Sequence, residues 1–269
     1  MDNQFFNKYG PWAIVTGASS GIGVEFAHQL AAKGLNLILV ARRKNLLEEV
    51  SSDLIAKYNI ECKILEADLT VDGFFNEVLL ASNGLDVGLL VNNAGMNCEG
   101  DFYRGSLDRN LNMIQLNVKA PFVLAYEYGK QFSKKGKGGI IFTSSISGFN
   151  AHPYLSHYAA TKAYILSLAE SMNYEFKDKN IDVLALCPGM TKSEMTKGLK
   201  EGPMLMAAAP VVKAALDNLG KKAYEVPGWI NKAQVFLNTR ILNRNGARNL
   251  SGAILKKFLP GVNRKKKNS

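Results

Sequence analysis

The sequence predicts an α/β fold in which helices cover both faces of a parallel sheet, that is, a doubly wound sheet. Short runs rich in branched apolar residues alternate with segments of helical length along most of the 269 residues. Several of these runs are continuously apolar, as expected for strands that are buried on both faces. Because strands and helices alternate at this spacing, we expect parallel βαβ units. No internal repeat or interdomain linker is visible.

The strands are predicted where branched and apolar residues cluster. They are Trp12–Thr16, Asn36–Ala41, Cys62–Ala67, Val87–Asn92, Gly139–Ser145 and Asp182–Cys187, with a weaker one at Ala223–Val226. The helices are predicted from the helical patterns between them. They are about Gly21–Lys33, Asn45–Tyr58, Asp72–Ser82, Leu107–Lys134, Ser156–Lys177 and Pro210–Leu219. Ligands of such sheets bind beyond the carboxyl ends of the strands, so we look for site residues there.

A glycine-rich turn, Thr16-Gly-Ala-Ser-Ser-Gly-Ile-Gly23, joins the first strand to the first helix. Its glycines allow a tight turn and a close backbone approach, and they leave the helix N-terminus aimed at a pyrophosphate. The spacing differs from the commoner Gly-x-Gly-x-x-Gly fingerprint, and the alternative is a plain connector. Its place directly after the first strand favours a dinucleotide site. The candidate ligands are Gly17, Ser19, Ser20, Gly21, Ile22 and Gly23.

The second strand ends in Ala41-Arg42-Arg43. A site for NAD usually has an acidic residue here to hold the ribose hydroxyls, whereas a 2′-phosphate requires a cation. Arg42 can form a forked contact with a phosphate. The sequence therefore predicts NADP(H) as the cofactor, the alternative being a solvated arginine pair at the start of a helix.

Tyr158-Ala-Ala-Thr-Lys162 places a tyrosine and a lysine on one face of a predicted helix, one turn apart. An ammonium about 5 Å from a phenol, at an effective dielectric of about 20, favours the phenolate by about 3 kcal/mol, or about two pKa units. We therefore expect Lys162 to lower the pKa of Tyr158, which suits proton transfer. The same spacing also arises by chance on amphipathic helices. We expect the nearby His152, in a surface loop, and His157, at the helix entry, to be structural.

The net charge of +10 is concentrated at the C-terminus, since no acidic residue and ten basic residues follow Glu225. We divide the chain into a dinucleotide-binding and catalytic domain, 1–225, and a basic amphipathic helical extension, 226–269. Its predicted apolar faces are Trp229, Ile230, Ala233, Phe236, Leu237 and Ile241, then Ala247, Leu250, Ile254 and Phe258. We expect these helices to cover the substrate cleft or to pack against a second subunit. Arg264–Lys267 favours peripheral contact with an anionic membrane.

The three cysteines, Cys62, Cys98 and Cys187, are too scattered for a disulfide framework or a metal site, and no metal ligands are predicted. The first residues lack the pattern of a signal peptide, and no apolar stretch reaches the roughly 18 residues that span a bilayer. We therefore expect a cytoplasmic protein, with peripheral membrane association as an alternative. The basic residues at the C-terminus are not interleaved with aromatic residues that could stack on bases in a defined groove, so no nucleic-acid binding is expected.

Four motifs together resemble the short-chain dehydrogenase/reductase family in order and spacing. They are Thr16–Gly23, Asn92-Asn-Ala-Gly95, Tyr158-x-x-x-Lys162 and Pro188-Gly189. The resemblance covers roughly residues 10 to 225. It implies a Rossmann-type sheet of about seven strands and an Asn-Ser-Tyr-Lys catalytic set. The two further members of that set would be Asn117, five residues before Phe122, and Ser145, thirteen residues before Tyr158.

The resemblance also implies further cofactor contacts. Asp68 and Leu69 would lie at the adenine, and Asn92, Ala94 and Gly95 beside the central strand, while Tyr158 and Lys162 would also contact the cofactor. Pro188-Gly-Met-Thr-Lys-Ser-Glu-Met195 resembles the segment that closes over the nicotinamide, so Pro188, Gly189, Thr191 and Ser193 are candidates. Ser193 stands where the family has threonine, and which of the two hydroxyls contacts the cofactor is open.

These parts would reduce a carbonyl, with Tyr158 as general acid, Lys162 to tune it, Ser145 to bind the carbonyl oxygen and Asn117 to hold a helix irregularity and an ordered water. Ile146–Leu155 and the methionine-containing segment Lys192–Pro210 would line the pocket, which favours a hydrophobic ketone or aldehyde, such as a steroid-like, fatty-acyl or aromatic carbonyl. The family resemblance suggests a homodimer or homotetramer through the two longest helices. The alternative function is a non-catalytic dinucleotide-sensing or scaffold protein that acts through its basic tail.

Overall fold

The structure is a computed structural model that describes residues 3–103, 105–198, 202 and 204–258. Its sheet contains β1 Trp12–Thr16, β2 Asn36–Ala41, β3 Cys62–Glu66, β4 Val87–Asn92, β5 Gly138–Thr143, β6 Ile181–Leu186 and β7 Tyr224–Glu225. The order across the sheet is β3-β2-β1-β4-β5-β6-β7, and all neighbouring strands are parallel. The predicted doubly wound sheet is confirmed, and the strand order reverses between β1 and β4, where such sheets bind ligands.

Helices cover both faces of this sheet. They are α1 Asn3–Tyr9, α2 Gly21–Ala32, α3 Lys44–Tyr58, α4 Phe74–Ala81, α5 Leu107–Ile114, α6 Ala120–Lys135, α7 Ser156–Glu175, α8 Ala208–Asn218, α9 Trp229–Phe236 and α10 Arg244–Phe258. A π-helical turn, Gln115–Lys119, joins α5 to α6, so the long helix predicted here is continuous but irregular. A second π-helical turn, Leu237–Ile241, follows α9.

The core consists of two apolar layers, one on each face of the sheet. In β1, Ala13 and Val15 belong to the layer under α2, α3 and α8, whereas Trp12 and Ile14 belong to the layer under α4, α6 and α7. All five residues of β1 are buried. The continuously apolar strands therefore have the cause predicted for them, which is burial on both faces.

The short helix α1 was not predicted from the sequence. It is held by tertiary contacts, because Tyr9 Oη donates a hydrogen bond to Asp182 Oδ2 at 2.5 Å and Lys8 pairs with the same carboxylate. Burial raises the pKa of the Tyr9 phenol, and the Asp182 carboxylate raises it further. A seven-residue segment has little helical tendency of its own, so tertiary contacts stabilise it; besides the pairing with Asp182, Phe5 and Tyr9 pack in the core and Lys137 Nζ donates to Asn7 O at 3.0 Å.

The predicted apolar face of α9 and its π-helical turn is exposed, whereas their buried side chains are polar. Trp229, Phe236 and Ile241 are 78%, 59% and 63% exposed, while Asn231 and Asn238 are buried. In α10, Ala247 and Ser251 are buried, and Leu250 and Ile254 are 40% and 45% exposed. The expectation that these helices cover the substrate cleft or pack against a second subunit stays a prediction. The side chain of Phe258 and residues 264–267 lie outside the described residues, and the division at residue 225 stays a prediction.

Candidate active site

The ends of β1, β4 and β5 are joined by hydrogen bonds of Asn93, a residue that was not among the predicted site residues. Thr16 Oγ1 accepts the N–H groups of Asn93 and Ala94 at 2.9 and 3.0 Å. In return, Asn93 Nδ2 donates to Thr16 O at 3.0 Å, and its Oδ1 accepts from Thr143 Oγ1 at 3.3 Å. The Asn92 side chain instead donates to Pro121 O on α6 at 3.3 Å. The signal for Asn93 was its position immediately after a predicted strand.

The glycine-rich turn forms a cradle at the start of α2. Gly17 and Gly21 have φ angles of +67° and +55°, which side chains other than glycine rarely adopt. A Cβ on Gly23 would lie 2.1 Å from Gly17 O, so only glycine fits. Ser20, the residue before α2, makes no side-chain capping hydrogen bond, so its side chain leaves the first N–H groups of the helix available to an anion. The cradle suits a pyrophosphate, and it contains Gly17, Ser19, Ser20, Gly21, Ile22 and Gly23.

Two arginines stand beside this cradle. Arg42, predicted to bind a 2′-phosphate, is 69% exposed, and its Nη1 lies 3.9 Å from Asp68 Oδ2. Arg43 donates to Ser19 Oγ at 3.0 Å and to Glu194 Oε1 at 2.5 Å. The hydrogen bond from Arg43 lowers the pKa of the Glu194 carboxyl. The sequence analysis did not select Arg43, although it follows Arg42 directly and points a second guanidinium at the turn.

Asn117 lies within the π-helical turn, which is the helix irregularity predicted for it. Ala120 N–H donates to Gln115 O, five residues back, so the helix has one wider, π-helical turn at this point. The Asn117 side chain is buried and binds both backbone polar groups of Met96. Its Oδ1 accepts from Met96 N and its Nδ2 donates to Met96 O, each at 2.9 Å. The same Nδ2 lies 3.1 Å from Thr161 Oγ1 on α7. Asn117 thus couples the loop after β4 to the helix that carries Tyr158 and Lys162.

Lys162 is buried next to Gly95 and Asn117. Its Nζ donates to Thr143 O at 2.8 Å, at the end of β5. A Cβ on Gly95 would lie 3.5 Å from Lys162 Nζ and 3.3 Å from Asn117 Oδ1, so the loop after β4 passes directly over both groups. Burial lowers the pKa of Lys162 to about 8. The lysine therefore still carries its charge at neutral pH but begins to lose it slightly above.

Tyr158 and Ser145 form the remaining pair. Ser145 is buried after β5, and its Oγ accepts from Ser147 N at 3.1 Å. Lys162 Nζ lies 5.7 Å from the centroid of the Tyr158 ring. Desolvation raises the pKa of Tyr158, and a hydrogen bond with Ser145 opposes that rise. The expectation that Lys162 lowers this pKa is therefore wrong for this arrangement, because the ammonium is bonded to Thr143 O and desolvation dominates.

The segment after β6 lies against the cradle and places Ser193 and Thr191 in different surroundings. A Cβ on Gly21 would lie 2.7 Å from Ser193 Cβ, so Ser193 sits directly on the glycine-rich turn. Thr191 is buried, and its Oγ1 donates to Gly189 O at 3.2 Å. Pro188 O accepts the N–H of Ile146 at 3.0 Å, and Gly189 is covered by Asn231. Ser193 therefore lies against the glycine-rich turn, whereas the hydroxyl of Thr191 is bonded to Gly189.

The structure thus brings the predicted groups together at one edge of the sheet. Asn117, Ser145, Tyr158 and Lys162 adjoin the loops after β4 and β5, and the cradle lies at the end of β1. Of the other predicted contacts, Leu69 is buried beneath this edge. Among the residues that the structure describes, no three histidine, cysteine, aspartate or glutamate side chains are placed to hold a metal ion. No helix of that part is long and apolar enough to cross a membrane.

Sequence comparison identifies relatives over most of the chain. Residues 11–203 match a family model described as short chain dehydrogenase. The chain is 31% identical to the 7beta-hydroxysteroid dehydrogenase of Clostridium sardiniense, over 90% of this chain and 94% of that protein. It is also 31% identical to the very-long-chain 3-oxoacyl-CoA reductase of Rattus norvegicus, over 82% of this chain and 72% of that protein.

Solved structures share the fold over nearly the whole chain. One, from work on the stereoselectivity of 7beta-hydroxysteroid dehydrogenase, has a TM-score of 0.87 and 26% identity and covers 92% of this chain and 98% of its own. A short-chain dehydrogenase from Sphingobium yanoikuyae, in complex with NADPH, has a TM-score of 0.75 and 28% identity and covers 97% of this chain and 98% of its own.

Proposed function

Because this chain belongs to the short-chain dehydrogenase family, whose oxidoreductases interconvert alcohols and carbonyls, we propose that it reduces a hydrophobic ketone or aldehyde with NADPH. The observation that carries the proposal is the meeting of Ser145, Tyr158, Lys162 and Asn117 beside the loops that follow β4 and β5. A chain that had kept only the fold would not need all four groups in one place. For the alternative, a dinucleotide sensor without turnover that acts through its basic tail, the described residues offer no support.

The reaction follows from the chemistry of these residues. NADPH, when bound, supplies the hydride. Tyr158 donates the proton to the carbonyl oxygen, and its raised pKa keeps it in the acid form at neutral pH. Ser145 donates a hydrogen bond to that oxygen, on which negative charge develops. Lys162 provides a positive charge beside the phenol, and Asn117 holds the neighbouring loop in place.

The cofactor would be held by the cradle, by Ser193 and by the two arginines. NADP(H) rather than NAD(H) is favoured because Arg42 and Arg43 both flank the turn and Ala41 offers no carboxylate. Asp68 is engaged in its own loop, where its Oδ1 accepts from Thr70 N and Oγ1 at 2.9 and 2.8 Å. Asn92, Ala94, Gly95, Pro188 and Gly189 complete the proposed lining.

Replacing Arg42 or Arg43 by alanine should raise the KM for NADPH about 10- to 100-fold and leave the KM for NADH nearly unchanged. Each guanidinium would lose a charge-assisted contact with the 2′-phosphate, which is worth about 1.5–3 kcal/mol. Steady-state kinetics with both cofactors measures the effect. Lys57→Ala, which removes a cation from the far end of α3, is the control. Equal losses with both cofactors would show that the arginines support the fold instead.

The substrate is proposed to be apolar, such as a steroid-like, fatty-acyl or aromatic carbonyl. The relatives are named for steroid and long-chain acyl substrates. In the closing segment, Met190, Met195 and Met204 remain 42%, 52% and 47% exposed, which suits adaptable apolar contacts. The test is the oxidation of NADPH and NADH with steroid ketones, 3-oxoacyl thioesters, aromatic ketones and a sugar. Tight NADPH binding without turnover of any of them would favour the sensor.

We also propose a homodimer or homotetramer. On α5 and α6, Leu107, Leu111, Phe122 and Tyr126 are 69%, 50%, 43% and 57% exposed. This run of apolar side chains is unusual for the surface of a monomer and suits a second copy. A single species of 29.4 kDa in analytical ultracentrifugation would contradict the proposal.

Peripheral contact with an anionic membrane is proposed for the C-terminal helices. The exposed Trp229, Phe236 and Ile241 belong to a stretch of sequence, after Glu225, that has no acidic residue. A cavity of about 580 Å³ beside Phe236 is lined by Lys222, Lys232 and Arg240, and also by Glu225, with which both lysines pair. Exposed apolar side chains between cations are typical of helices that lie in a membrane interface.

In a co-sedimentation assay at low salt, most of the protein should therefore pellet with anionic phosphatidylserine vesicles, and little should pellet with neutral vesicles. Trp229→Ser should weaken the binding several-fold, because a large apolar side chain no longer enters the interface. Tyr174→Ser, which removes an aromatic side chain that is 84% exposed on α7, is the control. Equal recovery with anionic and neutral vesicles, or with none, would refute the membrane contact.

A further inference from the structure

Two buried side-chain atoms of the described residues have no hydrogen-bond partner. They are Asn97 Oδ1 and His152 Nε2. Folded proteins rarely leave such atoms unpaired, because a buried polar atom without a partner destabilises the fold. His152 is only 8% exposed, so the expectation of a surface-loop histidine is wrong. Each unpaired atom therefore needs an explanation in terms of a missing partner.

Both atoms belong to loops that border the proposed catalytic residues. Asn97 lies two positions after Gly95 and directly after Met96, which Asn117 holds on both sides. His152 lies between Ser145 and Tyr158. The two loops are joined, because Gly100 N donates to Tyr154 O at 2.9 Å. The carboxyl ends of neighbouring parallel strands meet at the ligand crevice, so the two loops border the place where a substrate would bind.

The loop around His152 is fastened by the C-terminal helices. Asn150 donates to Ser251 Oγ at 3.1 Å and accepts from Asn238 Nδ2 at 3.3 Å. A Cβ on Gly252 would lie 3.0 Å from Pro153, so α10 presses directly on this loop. Tyr154 has a φ angle of +67°, a strained conformation that persists only where the surroundings impose it. The buried polar residues of the extension therefore hold His152 in position.

The loop around Asn97 is fixed as well. Asn97 Nδ2 lies 3.5 Å from Glu99 Oε2, and Asn97 O accepts from Arg109 Nη2 at 3.4 Å. The amide therefore has a neighbour on its donor side, and only its acceptor oxygen is unpaired. Burial lowers the pKa of His152, so its imidazole is neutral at physiological pH and Nε2 accepts or donates according to its tautomer.

We propose that Asn97 and His152 bind a hydroxyl group of the substrate, separate from the carbonyl that reacts, and so select hydroxylated apolar ketones over their deoxy analogues. The inference rests on the proposed function. Asn97 Oδ1 can only accept, so its partner must be a donor, and a hydroxyl can donate to Asn97 while it also pairs with His152. A second ketone or an ether lacks the donor and would leave Asn97 unpaired.

The experiment compares ring ketones that differ by one hydroxyl. Steroids with a single ketone at position 3, 7 or 17 are each assayed with and without a hydroxyl elsewhere on the rings. In the unmodified protein at least one hydroxylated ketone should have a kcat/KM about 10- to 100-fold above its deoxy partner. In Asn97→Leu and in His152→Phe that advantage should shrink to about 2- to 3-fold, with the deoxy ketone unaffected. His28→Phe, on α2, is the control for the loss of an imidazole.

Thermal unfolding without ligand gives a second readout that needs no turnover. Each variant replaces an unpaired buried atom with an apolar group. Asn97→Leu also removes the contact between Asn97 Nδ2 and Glu99 Oε2, but at 3.5 Å this contact is too long to contribute much. The melting temperature of each variant should therefore not fall below that of the unmodified protein. A lower melting temperature in both variants would show a structural role and overturn the proposal. So would turnover in which discrimination is unchanged, or in which both ketones lose equally. If the unmodified protein bound NADPH but turned over none of the ketones, the proposed function would be refuted. The melting temperatures would then decide whether the two residues have a structural role.

Discussion

Tyr158→Phe is expected to lower kcat for carbonyl reduction about a thousandfold at pH 7 while leaving the affinity for NADPH unchanged. The substitution removes one oxygen from the cleft, and with it the proton that the reduced carbonyl must receive. General acid catalysis by a positioned side chain typically contributes about 10²- to 10⁴-fold. The ring is kept, so its packing beside Lys162 should persist. NADPH oxidation measures turnover, and fluorescence titration measures cofactor binding.

A matched control for this variant is Tyr174→Phe on the same helix. Tyr174 is 84% exposed. The Tyr174→Phe variant loses an equivalent hydroxyl far from the cleft, so its kcat should equal that of the unmodified protein. If Tyr158→Phe kept a substantial part of the activity, the general acid would have to be another group. Ser145, with which Tyr158 shares a hydrogen bond, would then be the next to replace.

Lys162→Met should abolish most activity and at the same time stabilise the protein at pH 7. Burial lowers the pKa of Lys162 from 10.5 to about 8, a shift that corresponds to about 3 kcal/mol. Loss of the hydrogen bond to Thr143 O offsets about 1 kcal/mol of that gain. We therefore expect the free energy of unfolding to rise by about 2 kcal/mol. Urea denaturation at pH 7 measures it, with Lys57→Met as control.

The sign of the pH dependence follows from the lowered pKa. Below about pH 8 the lysine is protonated in both states, so the folded protein bears the whole penalty of a buried charge. Between pH 8 and the unfolded pKa of 10.5, the unfolded chain binds more protons, so the stability of the unmodified protein rises with pH. The advantage of Lys162→Met should shrink over the same range, while kcat of the unmodified enzyme falls above pH 8. A variant that is less stable at pH 7 would contradict this account.

The local parts of the fold could be predicted closely. The bounds of β1, β2 and β4 agree with the predicted ones, since continuous branched runs between turn residues have few other structures. The ends of the fifth and sixth strands shift by one or two residues, because pairing between strands decides where each stops. The prediction missed α1 because these seven residues depend on distant contacts, such as that between Tyr9 and Asp182, which are 173 positions apart.

In the candidate site, too, local features could be predicted from the sequence and tertiary contacts could not. The turn residues and the Tyr158–Lys162 spacing are local, so the sequence alone places them. Which asparagine ties the strand ends, and that Arg43 reaches both Ser19 and Glu194, depends on loops that meet only in the folded chain. Asn97 and His152 were missed as a pair for the same reason.

By itself, therefore, the sequence determined the doubly wound sheet, the cradle and the order of the chemical groups, because periodicity and turn chemistry act within a few residues. Only the tertiary structure decided the direction of the Tyr158 pKa and which face of α9 is buried. Both depend on desolvation by distant atoms. The phenol is desolvated in the cleft. The polar face of α9 and its π-helical turn is buried because Asn231 and Asn238 find partners there at Met206 and Asn150.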